Sequence, residues 1–561
     1  MKRLILSDFI ILLLFLSLYS CSKQSNTKLA ASAQSLAVVA ATATASSDSY
    51  YSYQWHLKNT GQLTDLLVGE DINVTSVWDS GNKGDDVVIA VIDDGLQINH
   101  PDLSDNIYSG RSWNYLYSID DPSPEESSSG HGTAVAGLAA ARDSNGIGVR
   151  GVAPRAKVVG YNLLALGGRT DADETDAMTR NYDLVSISNN SWGATDGTGK
   201  FTTANSTWTS AITEGVTYGR NGKGVVYVWA AGNGANNGVN NGSNNSDETE
   251  IDRSDYDGQA NFYGVMAIGA TTDNGEKASY SESGSNLWIC APSSGGKNSL
   301  TTTDLINEWG YNTDTNSGSD LDDVNYTKTF TGTSGATPIV SGVVALMLKQ
   351  NSKLTWRDVK LILAQTARKI QSTDTNWVSN GAGYKVNYKF GFGVVDAKAA
   401  VAAANTWSNV GTLKTYTASS SINLGLQIVD VDKTGTTSSI TVDAGTSQIS
   451  KIEFIEVNVD MAHANWGDLT IELSNSASPI TSIFSKPHFC NNGEDYPLEE
   501  SCKDSSTIGA STTFRFGSAR HLEESSSGIW TLKIVDSIFR EEEVNPSGVL
   551  NSWSIIFYGR E

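Results

Sequence analysis

The chain is short of cysteine, histidine, basic residues and long apolar runs, and each shortage narrows what it can be. Of four cysteines in 561 residues, Cys21 follows an N-terminal apolar run and Cys290 stands alone, read as buried and inert. Cys490 and Cys502 flank a short polar loop and can pair in an oxidising compartment. Lys and Arg number 39 against 62 Asp and Glu, a net charge of −23. That balance disfavours nucleic acid as a partner and is compatible with cationic substrates or bound metal cations. The apolar run at residues 10–18 is too short to span a bilayer comfortably. Preceded by Lys2-Arg3 and followed by Tyr19-Ser20-Cys21, it reads as the core of a secretory signal over residues 1–20. Residues 21–47, rich in Ala, Ser and Thr and without a clear apolar period, suit a flexible tether.

What is present is organised around Gly332-Thr333-Ser334-Gly335-Ala336-Thr337-Pro338, which runs into the apolar segment 339–348. Small residues around a lone serine, then a proline and Val, Ala, Leu and Met, predict a tight turn opening a buried helix. There the unpaired N–H groups and the helix dipole favour negative charge developing on a nearby oxygen. Taken alone, the stretch fits an ordinary N-cap serine equally well. A serine becomes a nucleophile when a base takes its proton, and that base is usually a histidine held by a carboxylate. Among the six histidines only His131 sits in a Gly-His-Gly-Thr turn that opens an Ala-rich run, 134–141. Upstream, residues 87–92 form the continuous, mostly β-branched run of a strand buried on both faces, ending in Asp93-Asp94-Gly95. A carboxylate at the carboxyl end of a buried parallel strand is where α/β folds keep their chemistry. Asp93, His131 and Ser334 thus follow the chain order known for subtilisin, as opposed to chymotrypsin or the α/β-hydrolases.

From residue 51 to about 404, strand-like segments (87–92, 158–164, 185–188, 225–230 and 265–270) alternate with helical ones after His131, Ser334 and Thr355. This predicts an α/β fold, a parallel sheet flanked by helices. Past a linker near 405–411 the pattern changes to short alternating strands at 452–459, 469–473, 531–535 and 552–558, predicting an all-β sandwich over 411–561.

The segments VIDDG (91–95), GHGTAVAG (130–137) and GTSGATP (332–338) resemble the three active-site motifs of subtilisin-like serine proteases. The C-terminal segments 465–473, 527–532 and 552–559 look like the P-domain, a jelly-roll-like sandwich, of the kexin and furin proprotein convertases. Gln54-Trp55-His56-Leu57, Asp93-Asp94, Ser191-Trp192-Gly193 and Trp229-Ala230-Ala231-Gly232-Asn233-Gly234 are similar to the same group. The resemblance covers nearly everything from Asp48 onward and implies a catalytic domain over 48–405.

It also implies a serine endopeptidase in which Asp93, His131 and Ser334 form the triad and Asn233 donates to the oxyanion. The substrate-binding set would be Asp94, Asp196, Asp257, Ser191, Trp192 and Gly193. Asp196 and Asp257 fall where convertases keep the carboxylates that select Arg or Lys before the cut, and Asp94 matches an acid of the neighbouring pocket. A second acid expected ahead of the histidine motif is replaced here by Glu126-Ser127-Ser128-Ser129-Gly130, which loosens any dibasic requirement. Calcium is the implied cofactor, with Asp48, Asp102 and Asn145 for one ion and Asp196, Asp252 and Glu282 for another. Family members usually carry a folded inhibitory prodomain, for which 21–47 leaves no room, so either the enzyme folds unaided or a partner helps it. Leu18-Tyr19-Ser20-Cys21 resembles a bacterial lipobox, implying an exported envelope lipoprotein, at the outer membrane or surface or released from it, attached through a lipid on Cys21. Its partners would be protein or peptide substrates with basic residues. The alternative is a catalytically silent or adhesive cell-surface lipoprotein using the same fold, in which Ser334 would be dispensable.

Overall fold

The computed structural model describes residues 48–125, 130–165, 169–235, 250–307, 309–313, 318, 320–463, 465–488, 512–539 and 548–561. The expected signal, tether and Cys21, and the Cys490 and Cys502 pair, lie outside the described residues.

Seven parallel strands make the first layer. They are β1 (Val88–Asp93), β2 (Trp113–Asn114), β3 (Lys157–Asn162), β4 (Ile187–Asn190), β5 (Val226–Ala230), β6 (Val265–Thr271) and β7 (Leu287–Pro292), in the order β2-β3-β1-β4-β5-β6-β7. All six residues of β1 are buried, as a strand covered by helices on both faces must be. Beside the sheet runs the helix Thr333–Gln350, in which every residue from Gly335 to Leu348 is buried. The helix His131–Ala140 is almost as deeply enclosed. A second short ribbon, β8 (Leu300–Thr303) with β9 (Tyr326–Phe330), is antiparallel. Thr302 and Thr303 donate their hydroxyls to the carbonyls of Ala134 and Thr133 at 2.6 and 2.7 Å, fixing the ribbon to the histidine helix. After Leu354 the next helix, Trp356–Thr366, starts with a capping box between Thr355 and Asp358, which satisfies two exposed N–H donors reciprocally.

Beyond the helix Ala397–Thr406 the described chain is mostly β, with a one-turn helix at Ala444–Ser447 and a 3-10 turn at Trp466–Asp468. One antiparallel sheet has Lys414–Ser419, Gly548–Arg560, Lys451–His463 and Thr512–Ser518 in that order, with Leu426–Ile428 also paired to the long C-terminal strand. The other has Thr436–Val442, Gly528–Asp536, Leu469–Asn475 and Thr481–Ser485. Along Leu469–Asn475 and Gly528–Asp536 burial alternates, so one face of each strand meets the shared apolar core containing Val457, Ile471, Trp530 and Phe557.

The two layers of structure are joined by charge and aromatic stacking. Arg357 makes a bidentate pair with Glu453, both contacts at 2.6 Å, and Arg560 adds a third at 2.9 Å. Tyr263 stacks on Tyr558 with ring centroids 4.0 Å apart. Nearer the cleft described below, His488 bonds the Gly199 carbonyl at 2.8 Å and Arg515 donates to the Gly258 carbonyl at 2.6 Å. The sandwich therefore buttresses the loops that carry Asp196 and Asp257.

Candidate active site

Three chain segments converge at the carboxyl edge of the sheet. Asp93 is the last residue of β1 and is buried. Its Oδ1 accepts the imidazole Nδ1–H of His131 at 2.8 Å and the Asp94 N–H at 2.8 Å, while its buried Oδ2 has no protein partner. The approach depends on Gly132, where an added Cβ would lie 2.1 Å from the Gly95 carbonyl and 2.8 Å from the Asp93 Cβ. A side chain at 132 would push the histidine helix off the strand end.

Burial opposes charging His131, but the charge of Asp93 and its hydrogen bond outweigh it, with a further contribution from Asp94, and lift the imidazole to about 9. A base must be neutral to accept a proton, so the raised value means activity is lost as pH falls through it. The acid limb of kcat/KM is therefore expected well above the ordinary histidine value of about 6.5. Asp94→Asn, which removes one of the negative charges, is expected to move that limb to lower pH. A kcat/KM profile of both proteins checks this.

Asp94, which does not line the cleft described below, holds the histidine helix. Its carboxylate accepts the N–H groups of His131 (3.2 Å) and Gly132 (2.8 Å), capping the histidine helix from outside the helix. Burial and then the Asp93 charge push it up to about 7. The Glu126-Ser127-Ser128-Ser129 stretch lies outside the described residues.

Ser334 is the second residue of its helix, so its N–H has no intrahelical acceptor. The turn into the helix uses Gly332 at φ 84°, where a Cβ would stand 3.2 Å from the Asn233 Oδ1. Pro338 lacks the N–H that would have reached the Ser334 carbonyl four residues back. The Ser191 hydroxyl takes that place, donating to the carbonyl at 3.0 Å. Behind it, Asn189 donates to the Ser191 Oγ at 3.1 Å and accepts from Ser341 at 2.8 Å, so a buried polar chain ties the end of β4 to the serine helix. The Ser334 hydroxyl donates to the Ser191 carbonyl at 3.1 Å. A serine changes acceptor by rotating between staggered χ1 wells.

Asn233 is held on both sides. Its Oδ1 accepts from the Thr333 N–H (2.8 Å) and hydroxyl (2.9 Å), and its Nδ2 donates to Asp196 at 3.2 Å. The Thr333 N–H can only donate, which sets the orientation of the amide and leaves Nδ2 with a second N–H. Asp196 also accepts the Asn233 backbone N–H at 2.7 Å. Thr333 and the positioning role of Asp196 were not visible in the sequence, since the partners are 100 and 37 residues from Asn233.

Ser191, Trp192, Gly193, Asp196, Asn233, Asp252, Asp257, Glu282 and Ser334 line one cleft of about 470 Å³, and Lys200 lines it too. Asp257 sits at its buried wall, where its carboxylate accepts from Ala194 (3.1 Å) and Gln259 (2.7 Å). Burial raises its pKa, with Asp196 adding to it. Asp252 accepts from the N–H groups of Thr198 and Arg253, both at 3.2 Å, and Glu282 from Gly234 at 2.9 Å. Burial pushes Asp252 up to about 7 and Glu282 well above its ordinary value, each aided by neighbouring carboxylates. At the far set, Asn145 donates to Asp102 at 2.7 Å, and Asp48 pairs with Arg150 at 2.7 Å while its Oδ1 is buried without a partner. Burial, opposed by the hydrogen bonds from Val149 and Asn145 and aided by the charge of Asp48, raises Asp102 to about 7. Hard oxygen donors and a surplus of negative charge suit a cation in both places. Among the described residues, no three acidic, His or Cys side chains converge closely enough to ligate one ion as they stand. Cys290, also among them, is a free, buried thiol, which burial pushes up to about 12.

Comparison with known proteins gives this geometry a family. The Subtilase family profile matches residues 84–393 and the proprotein convertase P-domain profile residues 452–557. The chain is 32% identical over 509 residues to the PC3-like endoprotease variant B of Hydra vulgaris, covering 89% of this chain and 64% of that protein. It is 29% identical over 520 residues to human furin, covering 91% and 58%, and 30% identical over 501 residues to rat proprotein convertase subtilisin/kexin type 6, covering 87% and 48%. It therefore spans less than two thirds of the length of these curated relatives. The crystal structure of the Aeromonas sobria serine protease in complex with its chaperone superposes with a TM-score of 0.81 at 26% identity, covering 92% of this chain and 95% of that one. With a profile match across more than half its length, a parallel sheet that gathers Asp93, His131 and Ser334 at one edge, and a following β-sandwich that matches the P-domain, the chain belongs to the subtilase family.

Proposed function

We propose that the protein is an exported serine endopeptidase that hydrolyses peptide bonds after Arg or Lys. The observation that carries this reading is the 2.8 Å bond between His131 and Asp93 at the strand end beside a serine on a helix N-terminus. His131 takes the proton of Ser334 as the hydroxyl leaves the Ser191 carbonyl and attacks the scissile carbonyl, then gives it to the leaving amine. Asp93 holds the imidazole tautomer and balances its charge. The free N–H of Asn233 Nδ2 and the backbone N–H of Ser334 meet the developing oxyanion. Asp196 and Asp257 supply the negative wall for a guanidinium or ammonium preceding the cut.

Calcium would be held by Asp196, Asp252 and Glu282 with loop carbonyls, and by Asp48, Asp102 and Asn145. It would neutralise the buried carboxylates and pin the cleft loops. A lipid on Cys21 would attach the exported protein to a membrane. Among the described residues no helix is long and apolar enough to cross one.

The test is the initial rate on fluorogenic peptides that differ only in the residue before the cut, with and without a calcium chelator. Arg and Lys peptides are expected to exceed Ala and Phe peptides by about 100-fold, the scale of two to three kcal/mol for a charge-assisted contact. Chelator is expected to lower both the rate and the thermal midpoint, by about 2.7 kcal/mol of stability if calcium had been present at 100 times its Kd. Equal turnover of Ala, Phe and Arg peptides contradicts the basic specificity. Indifference to chelator contradicts the calcium assignment.

A further inference from the structure

The polar insertion between β8 and β9 takes no part in the proposed reaction, yet it carries Tyr311, one ring away from His131. Two buried side chains, Asp304 and Asn312, hold its described residues around Tyr311. Buried Asp304 accepts the N–H groups of Leu305 (2.8 Å), Tyr311 (2.8 Å) and Asn312 (2.7 Å). Asn312 donates to the carbonyls of Leu321, Asp323 and Tyr326 at 3.0, 3.2 and 2.9 Å. Gly310 takes φ 88°, and an added Cβ there would collide with Asp304. The loop's conformation is therefore determined at Tyr311, the residue between these anchors.

Tyr311 packs edge-on against Phe330 with ring centroids 5.6 Å apart, and Phe330 packs against the His131 imidazole at 5.3 Å. Phe330 is 2% exposed, whereas Tyr311 is 45% exposed. After burial, the charges of Asp94 and Asp93 are the largest influences raising the Tyr311 phenol, which places it near the carboxylates that hold His131 and its helix. Neither aromatic lines the acidic cleft that contains Ser191, Asn233 and Asp257. That cleft, on the proposed reading, holds the residue before the cut. His131 hands its proton to the leaving amine, so the chain that follows the cut departs along the imidazole.

We propose that Tyr311, backed by Phe330, forms an aromatic wall on the leaving-group side of His131 and selects a large apolar or aromatic residue immediately after the scissile bond. This rests on the serine endopeptidase reading. Aromatic packing of this kind discriminates by about 3- to 10-fold.

Acyl transfer isolates that side. With an arginine methyl ester as acyl donor, the acyl-enzyme partitions between water and an added amino acid amide. The amine nitrogen attacks the acyl carbonyl, the new amide bond forms, the acyl–Oγ bond breaks, and the amine proton passes through His131 to the Ser334 oxygen. The readout is the ratio of transfer to phenylalanine amide over glycine amide at equal concentrations of the free amines. The wild type is expected to favour phenylalanine amide by at least about 3-fold, Tyr311→Ala to bring the ratio close to one, and Tyr311→Phe to restore it. A wild-type ratio near one, or an unchanged ratio in Tyr311→Ala, overturns the proposal. Failure to cleave the ester at all strikes the endopeptidase reading instead, and is distinguishable because no acyl-enzyme then forms.

Discussion

Ser334→Ala is expected to lower kcat on an Arg-containing peptide by on the order of 10⁶-fold, the scale measured when a nucleophilic serine of a triad is removed. The variant keeps the helix N-terminus, Asn233 and the cleft, so substrate still binds, but there is no oxygen to form the acyl-enzyme. The structural cost is small. The lost hydroxyl donates only to the Ser191 carbonyl at 3.1 Å, a part-buried bond contributing about 1 kcal/mol. The Ser334 carbonyl keeps its bond from the Ser191 hydroxyl. A thermal midpoint close to that of the wild type, together with abolished turnover, separates loss of chemistry from loss of fold.

The second large effect is expected at Asp93. Asp93→Asn preserves shape but removes the charge that raises His131 and replaces one of two acceptor oxygens by a donor. With Nδ1–H no longer assured of an anionic acceptor, the imidazole can present the wrong tautomer to Ser334. The expected loss in kcat is about 10⁴-fold. Two further observations distinguish a charge effect from disruption. The acid limb of kcat/KM should move down, because the negative charge that favours the imidazolium is gone. The double variant with Ser334→Ala should be scarcely slower than Ser334→Ala alone, since residues acting as one unit are not additive. Single-turnover rates on one peptide across the three variants measure the second, and a pH series on Asp93→Asn measures the first.

The strands and helices that carry the triad were legible because their chemistry is local. A continuous apolar run such as β1 has few alternatives to a two-sided buried strand, and a Gly-rich turn before an apolar run has few alternatives to a helix start. Four strands of the sandwich were legible for the same reason, whereas Lys414–Ser419, Leu426–Ile428, Thr436–Val442, Thr481–Ser485 and Thr512–Ser518 were not singled out. β7 was missed because Leu287–Pro292 carries a tryptophan, a cysteine and a terminal proline in place of a β-branched run, and β2, two residues long, was missed with it. The roles of side chains were less legible. Asp94 was read as a pocket acid, yet its oxygens cap the histidine helix. The pairing of Asn233 with Thr333 and Asp196, and the use of Ser191 to occupy the carbonyl that Pro338 leaves open, join positions far apart in the chain. Tyr311 lies in a polar insertion with no periodic pattern, and its place beside Phe330 arises from Asp304 and Asn312, whose anchoring bonds exist only in the folded loop.

The chemistry depends on His131, polarised by Asp93, turning Ser334 into a nucleophile. This is tested by treating the folded protein, in buffer containing calcium, with a fluorophosphonate, from which a nucleophilic serine displaces fluoride to form a stable phosphonate ester. Intact mass is expected to rise by one adduct per chain, peptide mapping to place it on Ser334, and labelling to disappear in Ser334→Ala and to slow sharply in Asp93→Asn. A folded protein that cleaves peptides yet carries no adduct on Ser334, or that labels as fast after Asp93→Asn, would contradict it.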